Sequence, residues 1–171
     1  MLDLVIVGGG PAGASAGVYA ARKRLKTVLV TEEWGGQSNV SSEIQNWIGT
    51  PAISGRQLAE SLRKHVENYA GDALSIIFPD KAVSLSQDDE KVTLTLASGK
   101  QLEARAVLLA TGATRRKLEI PGAKEYDQKG LTYCATCDGP LFEGKDVAVI
   151  GGGNAAVETA SQLLAYCKTV T

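Results

Sequence analysis

The feature that most restricts this chain is a glycine loop set directly behind an apolar strand. Leu2 to Val7 is a short, β-branched run of the kind that forms a buried parallel strand, and it feeds Gly8-Gly9-Gly10-Pro11-Ala12-Gly13 without a spacer. That loop has G-x-G-x-x-G spacing, in which the glycines serve a tight turn, close backbone approach to a pyrophosphate and close helix packing. Small residues follow (Ala14, Ser15, Ala16, Gly17, Ala20, Ala21), so a helix can lie close to the sheet. The run from Lys26 to Thr31 reads as a second strand ending at Glu32-Glu33, and Glu32 falls nineteen residues after Gly13. A dinucleotide fold places a ribose-binding acid at that distance. The N-terminus of the intervening helix would offer N–H groups and its positive dipole end to phosphates.

The motif is repeated. Val147-Ala148-Val149-Ile150-Gly151-Gly152-Gly153-Asn154-Ala155-Ala156 echoes the opening, and Lys168-Thr169-Val170 echoes Lys26-Thr27-Val28 one residue closer. In this register Thr171 corresponds to Leu29, so the chain is expected to stop inside the second strand of its second nucleotide fold and to be the front portion of a longer protein. Two strands and one helix leave an apolar sheet face uncovered. The expected class is therefore α/β, with two Rossmann-like folds, the second truncated.

Between the two loops stands Cys134-Ala135-Thr136-Cys137-Asp138. Thiols at i and i+3 share one face of a helical turn, close enough to open and close a disulfide. The adjoining carboxylate of Asp138 can carry the proton that such exchange moves. Three cysteines, two of them so spaced, fit a reducing compartment better than a disulfide framework. Zinc held by Cys134, Cys137, Cys167 and His65 is an alternative, but only one C-x-x-C is present. Cys167 reads as a packed free thiol, and no metal site is expected. His65, the one histidine, reads as a packed helix residue rather than a base.

Elsewhere the patterning is ordinary. Trp34 to Ser54 has no period and contains Gly35-Gly36-Gln37 and Asn46-Trp47-Ile48-Gly49, as a binding segment or a long connection would. Ser54 can cap a helix from about Gly55 to Tyr69, with Leu58, Leu62, Val66 and Tyr69 on one face. Strands are expected at Leu74 to Phe78, Ala82 to Ser86 and Val92 to Leu96, the last forming a hairpin with Gln101-Leu102-Glu103. A separate central strand, Ala106 to Ala110, ends at Thr111-Gly112, where a strand's carboxyl end can face a ligand. Arg115, Arg116 and Lys117, followed by Ile120-Pro121-Gly122, suggest a crossing between domains or a solvated loop.

Composition excludes other classes. Eighteen Lys and Arg against nineteen Asp and Glu give a net charge of −1, and aromatics are 5%, so neither a nucleic-acid surface nor an electrostatic membrane surface is expected. Met1-Leu2-Asp3-Leu4 lacks the basic start of a secretory leader, and no apolar stretch reaches membrane-spanning length, so a cytoplasmic location is expected.

Taken in order, the Gly8–Gly13 loop, Gly35-Gly36-Gln37, Asn46-Trp47, Ala110-Thr111-Gly112, Cys134-Ala-Thr-Cys137-Asp138-Gly139 and the Gly151–Ala156 loop resemble the low-molecular-weight thioredoxin reductases, over essentially all 171 residues. The flavoprotein subunit of alkyl hydroperoxide reductase is a related resemblance. In that relative a thioredoxin-like region precedes the flavin domain, whereas here Met1 starts the first strand, which favours the reductase proper.

The resemblance implies the N-terminal part of an FAD-binding domain over 1–113, lacking that domain's C-terminal segment, and the start of an NAD(P)H-binding domain, incomplete and carrying the dithiol, over 114–171. FAD would lie on Gly8, Gly10, Pro11, Ala12 and Gly13, with Glu32 at its ribose, Gln37 and Asn46 nearer the flavin, and Val83, Ala110, Thr111 and Gly112 completing the site. NAD(P)H would lie on Gly151, Gly153, Asn154, Ala155 and Ala156. Hydride would pass from nicotinamide to flavin and electrons on to the Cys134–Cys137 disulfide. The resulting dithiol, with Cys137 nearer the flavin and Asp138 as proton donor and acceptor, would reduce thioredoxin or a thioredoxin-like protein. The resemblance further implies a homodimer and rotation of one domain against the other, with hinges near Thr114 and Gly144. A non-catalytic nucleotide-binding or redox-sensing subunit is the competing reading.

Overall fold

The computed structural model describes residues 1–114 and 116–171; Arg115 of the basic cluster lies outside the described residues. The chain divides into two compact units: one made of Met1–Glu43 and Ile53–Thr114, the other of Ile44–Ala52 and the residues after Thr114.

The first unit is built on β1 (Leu2–Gly9), α1 (Pro11–Arg22) and β2 (Thr27–Trp34), followed by α2 (Gly55–Ala70), β3 (Leu74–Ile77), β4 (Ala82–Gln87), β5 (Val92–Leu96) and β6 (Gln101–Leu109). The sheet order is β3-β2-β1-β6-β5-β4. β1 runs parallel to both β2 and β6, and β2 parallel to β3, whereas β4, β5 and β6 form an antiparallel meander. Period-2 alternation assigns each side chain of the parallel strands to one of two cores. Ile6 and Leu29 pack with Ala14 and Val18 of α1, Val66 of α2, and Leu74. Val5, Val7, Val28 and Val30 pack on the opposite side with Leu94, Leu96, Leu102 and Ala104. Burial on both faces explains why β1 and β2 read as continuous apolar runs. Leu29 is fully buried, so its truncation to Ala would cost about 2–5 kcal/mol.

Three expectations need correction here. β2 does not end at Glu32-Glu33 but continues one residue further to Trp34, which is buried; a register shift between Val7 and Gly9 sets Gly9 opposite Trp34. Gln101–Glu103 and Ala106–Ala110 are not separate strands. β6 is one strand whose first residues pair with β5 while the rest pair with β1, so the hairpin arm and the central strand are the same element. His65 is exposed rather than packed, with its ring tilted against Tyr69 at 5.4 Å, and Tyr69 is itself 42% exposed. The buried stripe of α2 therefore consists of Leu58 and Val66 with partly buried Leu62.

The start of α2 follows its sequence closely. Ser54 Oγ accepts from the Gln57 N–H, and the Gln57 side chain returns to the Ser54 N–H, forming a capping box.

The second unit contains the short helices α3 (Ala123–Tyr126) and α4 (Ala135–Asp138), then β7 (Asp146–Val147), α5 (Asn154–Leu163) and β8 (Thr169–Val170). β7 and β8 are parallel. Regular pairing covers Asp146 and Val147, so it reaches only the first residue of the expected Val147–Ile150 strand, but the parallel contact continues: Val149 N–H reaches Thr171 O at 2.7 Å and Thr171 N–H reaches Val147 O at 3.0 Å. No helix among the described residues is long and apolar enough to cross a membrane.

Candidate functional site

In the first unit the C-terminal edge of the parallel strands converges on the glycine loop. Gly8 has φ +118°, and a Cβ there would sit 2.2 Å from the Ala110 carbonyl oxygen at the end of β6. Ala110 is held in place by its N–H, which donates to Val7 O at 2.8 Å. A Cβ on Gly13 would lie 1.8 Å from Gly8 O, so α1 touches the loop backbone only because Gly13 has no side chain. Gly10 is the N-cap and Pro11 the first helical residue, with no side chain capping the end. Pro11 costs nothing there because its missing N–H would have no intrahelical partner. The first N–H groups of α1 are thus left for a ligand.

Glu32, near the end of β2, is exposed and paired with Lys81 Nζ at 3.2 Å. A pair this open contributes about 0–1 kcal/mol and yields readily to another partner. Asp80 N–H donates to Thr31 O at 3.1 Å, which ties the segment leading to Val83 to the same strand end. Val83 is 57% exposed, at an irregularity in the β4–β5 pairing. Thr111 and Gly112 directly follow Ala110, and Gln37 lies in a 3-10 turn, Gly36–Val40, steadied by the Asn39 side chain donating to Trp34 O. The first unit therefore gathers Gly8, Gly10, Pro11, Ala12, Gly13, Glu32, Ala110, Thr111 and Gly112 along one sheet edge. Asn46, expected beside them, belongs to the second unit.

The second glycine loop repeats the geometry more loosely. Gly151 has φ +139°, and Gly153 is the N-cap of α5, which begins at Asn154. A Cβ on Gly151 would be 3.1 Å from that of Ala156. Where Gly13 allows backbone contact, Ala156 keeps its helix at side-chain distance. Ala155, Ala156, Val149 and Ile150 line a cavity of about 610 Å³ that Cys134 and Arg116 also border.

Cys134 and Cys137 form a disulfide with their Cα atoms 5.3 Å apart. Cys134 is the N-cap of α4, its Sγ accepting from the Cys137 N–H at 3.2 Å, and its carbonyl accepts from the Asp138 N–H at 2.9 Å. Cys134 is half-buried and Cys137 exposed. Asp138 is only 9% exposed, and its Oδ2 accepts a hydrogen bond from the Thr132 hydroxyl. Thr136 donates to Gln162 at 3.0 Å, fastening the redox turn to α5. Cys137 faces solvent, its disulfide partner Cys134 borders a cavity, and the buried Asp138 follows Cys137 on the same short helix, which brings together the groups that thiol–disulfide exchange uses.

Sequence reasoning missed Thr132, whose spacing carries no signal. It also missed Tyr133, whose hydroxyl accepts from the Leu118 N–H at 3.0 Å. Lys117 of the basic cluster is paired with Asp127. Cys167 is a free, half-buried thiol. The unit boundary falls after Thr114, while Gly144, at φ +69°, lies within the second unit with its N–H on Tyr166 O at 2.9 Å.

Two dinucleotide-type glycine loops with a C-x-x-C disulfide between them define a class, and the chain belongs to the pyridine nucleotide-disulphide oxidoreductase family, whose sequence pattern matches residues 2–171. Among curated relatives it is 45% identical over 169 residues to an alkyl hydroperoxide reductase subunit of Staphylococcus aureus, a match that covers 99% of this chain and 33% of the relative. Among solved structures it superposes on thioredoxin reductase from Giardia duodenalis with a TM-score of 0.91 at 33% identity, and on that from Streptococcus pyogenes with 0.87 at 35%. Each superposition covers 99% of this chain and 54% of the other. The chain thus spans about a third of that curated relative and about half of the solved reductases.

Proposed function

We propose that this chain belongs to a flavoenzyme that uses NAD(P)H to reduce the disulfide of thioredoxin or a thioredoxin-like protein, working in the cytoplasm as a homodimer. The observation that carries the reading is the Cys134–Cys137 disulfide, with Cys137 open to solvent and Asp138 buried beside it. The names of the relatives support the disulfide chemistry and the class of partner.

FAD fits the first unit, because the backbone at Gly8, Gly9 and Gly13 is packed too tightly for side chains and the helix that follows presents an uncapped end. Gly8, Gly10, Pro11, Ala12 and Gly13 would hold its pyrophosphate, Glu32 its ribose, and Val83, Ala110, Thr111 and Gly112 the adjoining edge, with Gln37 and Asn46 toward the flavin. Gly151, Gly153, Asn154, Ala155 and Ala156 would hold NAD(P)H. When bound, FAD supplies the two-electron link between the nicotinamide and sulfur.

The protein's own chemistry begins with the reduced pair. One thiolate attacks a partner sulfur, the partner S–S bond breaks, and a mixed disulfide forms; the second thiolate then resolves it, restoring Cys134–Cys137 and releasing the partner dithiol. Two electrons and two protons leave the pair, and Asp138 passes the protons.

In the full-length protein, Cys137→Ser should keep the flavin colour and lose NAD(P)H-dependent reduction of a thioredoxin disulfide. Turnover retained at the wild-type rate would refute the reading.

A further inference from the structure

Among the described residues, the Thr132 side chain hydrogen-bonds both the carboxylate and the backbone of the redox turn. Its hydroxyl donates to Asp138 Oδ2, and the same oxygen accepts from the Cys134 N–H at 3.4 Å. Asp138 closes the ring by donating its N–H to Cys134 O at 2.9 Å. A hydroxyl has one proton to give and lone pairs to receive, so Thr132 fills both roles at once. Asp138 is more than nine-tenths buried and cannot rely on bulk hydration, so a protein donor must orient its carboxylate. Among the described residues the Thr132 hydroxyl is that donor, and Oδ1 forms no hydrogen bond with any of them.

From this geometry we infer that Thr132 is a positioning residue for proton transfer at the dithiol. It pins Oδ2 and leaves Oδ1 to exchange protons with the thiols. The inference rests on the disulfide-reducing reading above.

The step balances as follows. Asp138 takes the proton of the attacking thiol as its sulfur bonds to a partner sulfur. It then returns the proton to the leaving partner thiolate; as the second thiol closes the Cys134–Cys137 bond and expels the other partner sulfur, Asp138 carries that thiol's proton across in the same way, so the partner disulfide gains two electrons and two protons.

The test reduces the full-length protein with a phosphine, removes the reductant and follows single-turnover reaction with 5,5′-dithiobis(2-nitrobenzoate), so the readout needs no flavin turnover. Thr132→Val should slow this exchange about tenfold, since it removes the hydrogen bond to the charged group. Thr132→Ser, which keeps the hydroxyl, should stay within about twofold of the parent. In an Asp138→Asn background, Thr132→Val should change the rate by less than about twofold, because its effect passes through the carboxylate. Thr132→Ala carries the same test if Thr132→Val does not fold. Wild-type speed in Thr132→Val, failure of Thr132→Ser to restore it, or an undiminished tenfold loss in the Asp138→Asn background would each overturn the inference alone. A wild-type dithiol inert toward the probe would overturn the functional reading and this inference with it.

Discussion

Gly13→Ala should destabilise the protein, although alanine is the better helix former. The methyl group would be placed 1.8 Å from Gly8 O and 2.9 Å from Gly8 C, against a floor of 3.0 Å for real Cβ contacts. Both obstacles are backbone, and Gly8 is itself wedged against Ala110 O, so relief requires α1 to back away from β1 by more than an ångström. That movement strips Ala14 and Val18 of their contacts with Ile6 and Leu29. Overpacking of this kind costs about 3 kcal/mol at the upper end of the usual range. The helix-propensity gain of Gly→Ala offsets about 1 kcal/mol of it. A net loss of about 2 kcal/mol corresponds to a urea midpoint lowered by about 1 M. Trp34, buried in the same cluster as Ala14, is the natural reporter, read in a Trp47→Phe background so that it is the sole tryptophan. Gly152→Ala is the control, since a Cβ there meets nothing within 4 Å, and it should move stability by no more than about 0.5 kcal/mol. A Gly13→Ala midpoint equal to or above that of the parent would show that the loop and helix are not packed as described.

Two further predictions concern the same unit. Arg24 holds φ +57° at the position after the α1 C-cap, with its N–H on Ala21 O and the Leu25 N–H on Ala20 O, the pattern that ordinarily ends in glycine. The left-handed conformation costs an L-residue about 1–2 kcal/mol, partly offset by the extra chain entropy of glycine, about 0.5–1 kcal/mol. Arg24→Gly should therefore raise unfolding stability by about 0.5–1 kcal/mol, and a lower urea midpoint would contradict this. Asp80 is held below the usual carboxylate range, first by the Ser98 hydroxyl and then by the Lys81 and Ser98 N–H groups. A depressed folded pKa contributes stability above the unfolded value, and that stability is lost as pH falls through the folded one. Asp80→Asn should thus be weaker than the parent at neutral pH, with the gap closing below about pH 4. A gap that stays constant from neutral to acid pH would refute the link.

The amino-acid order alone settled what depends on neighbours a few positions apart. β1, the Gly8–Gly13 loop and α1 follow from a β-branched run meeting glycines and then small residues. The Ser54–Gln57 cap and the Cys134–Cys137 pair follow from three-residue spacings, and the Gly151 loop from its likeness to the first. Each is a local pattern, and local backbone geometry decides it.

The tertiary structure decided what depends on register between distant segments. It made one strand of Gln101–Leu109, because antiparallel pairing with β5 and parallel pairing with β1 can be satisfied by different parts of the same extended backbone. It carried β2 past Glu33 to Trp34, where the indole is buried and the strand, after the irregularity at Gly9, pairs once more with β1. It put His65 in solvent, because the buried stripe of α2 is too narrow to include it. It also joined Thr132 to Asp138, a contact that requires the chain to turn back through the short helix bearing the cysteines. No periodicity encodes such meetings, since they exist only once the chain has closed on itself.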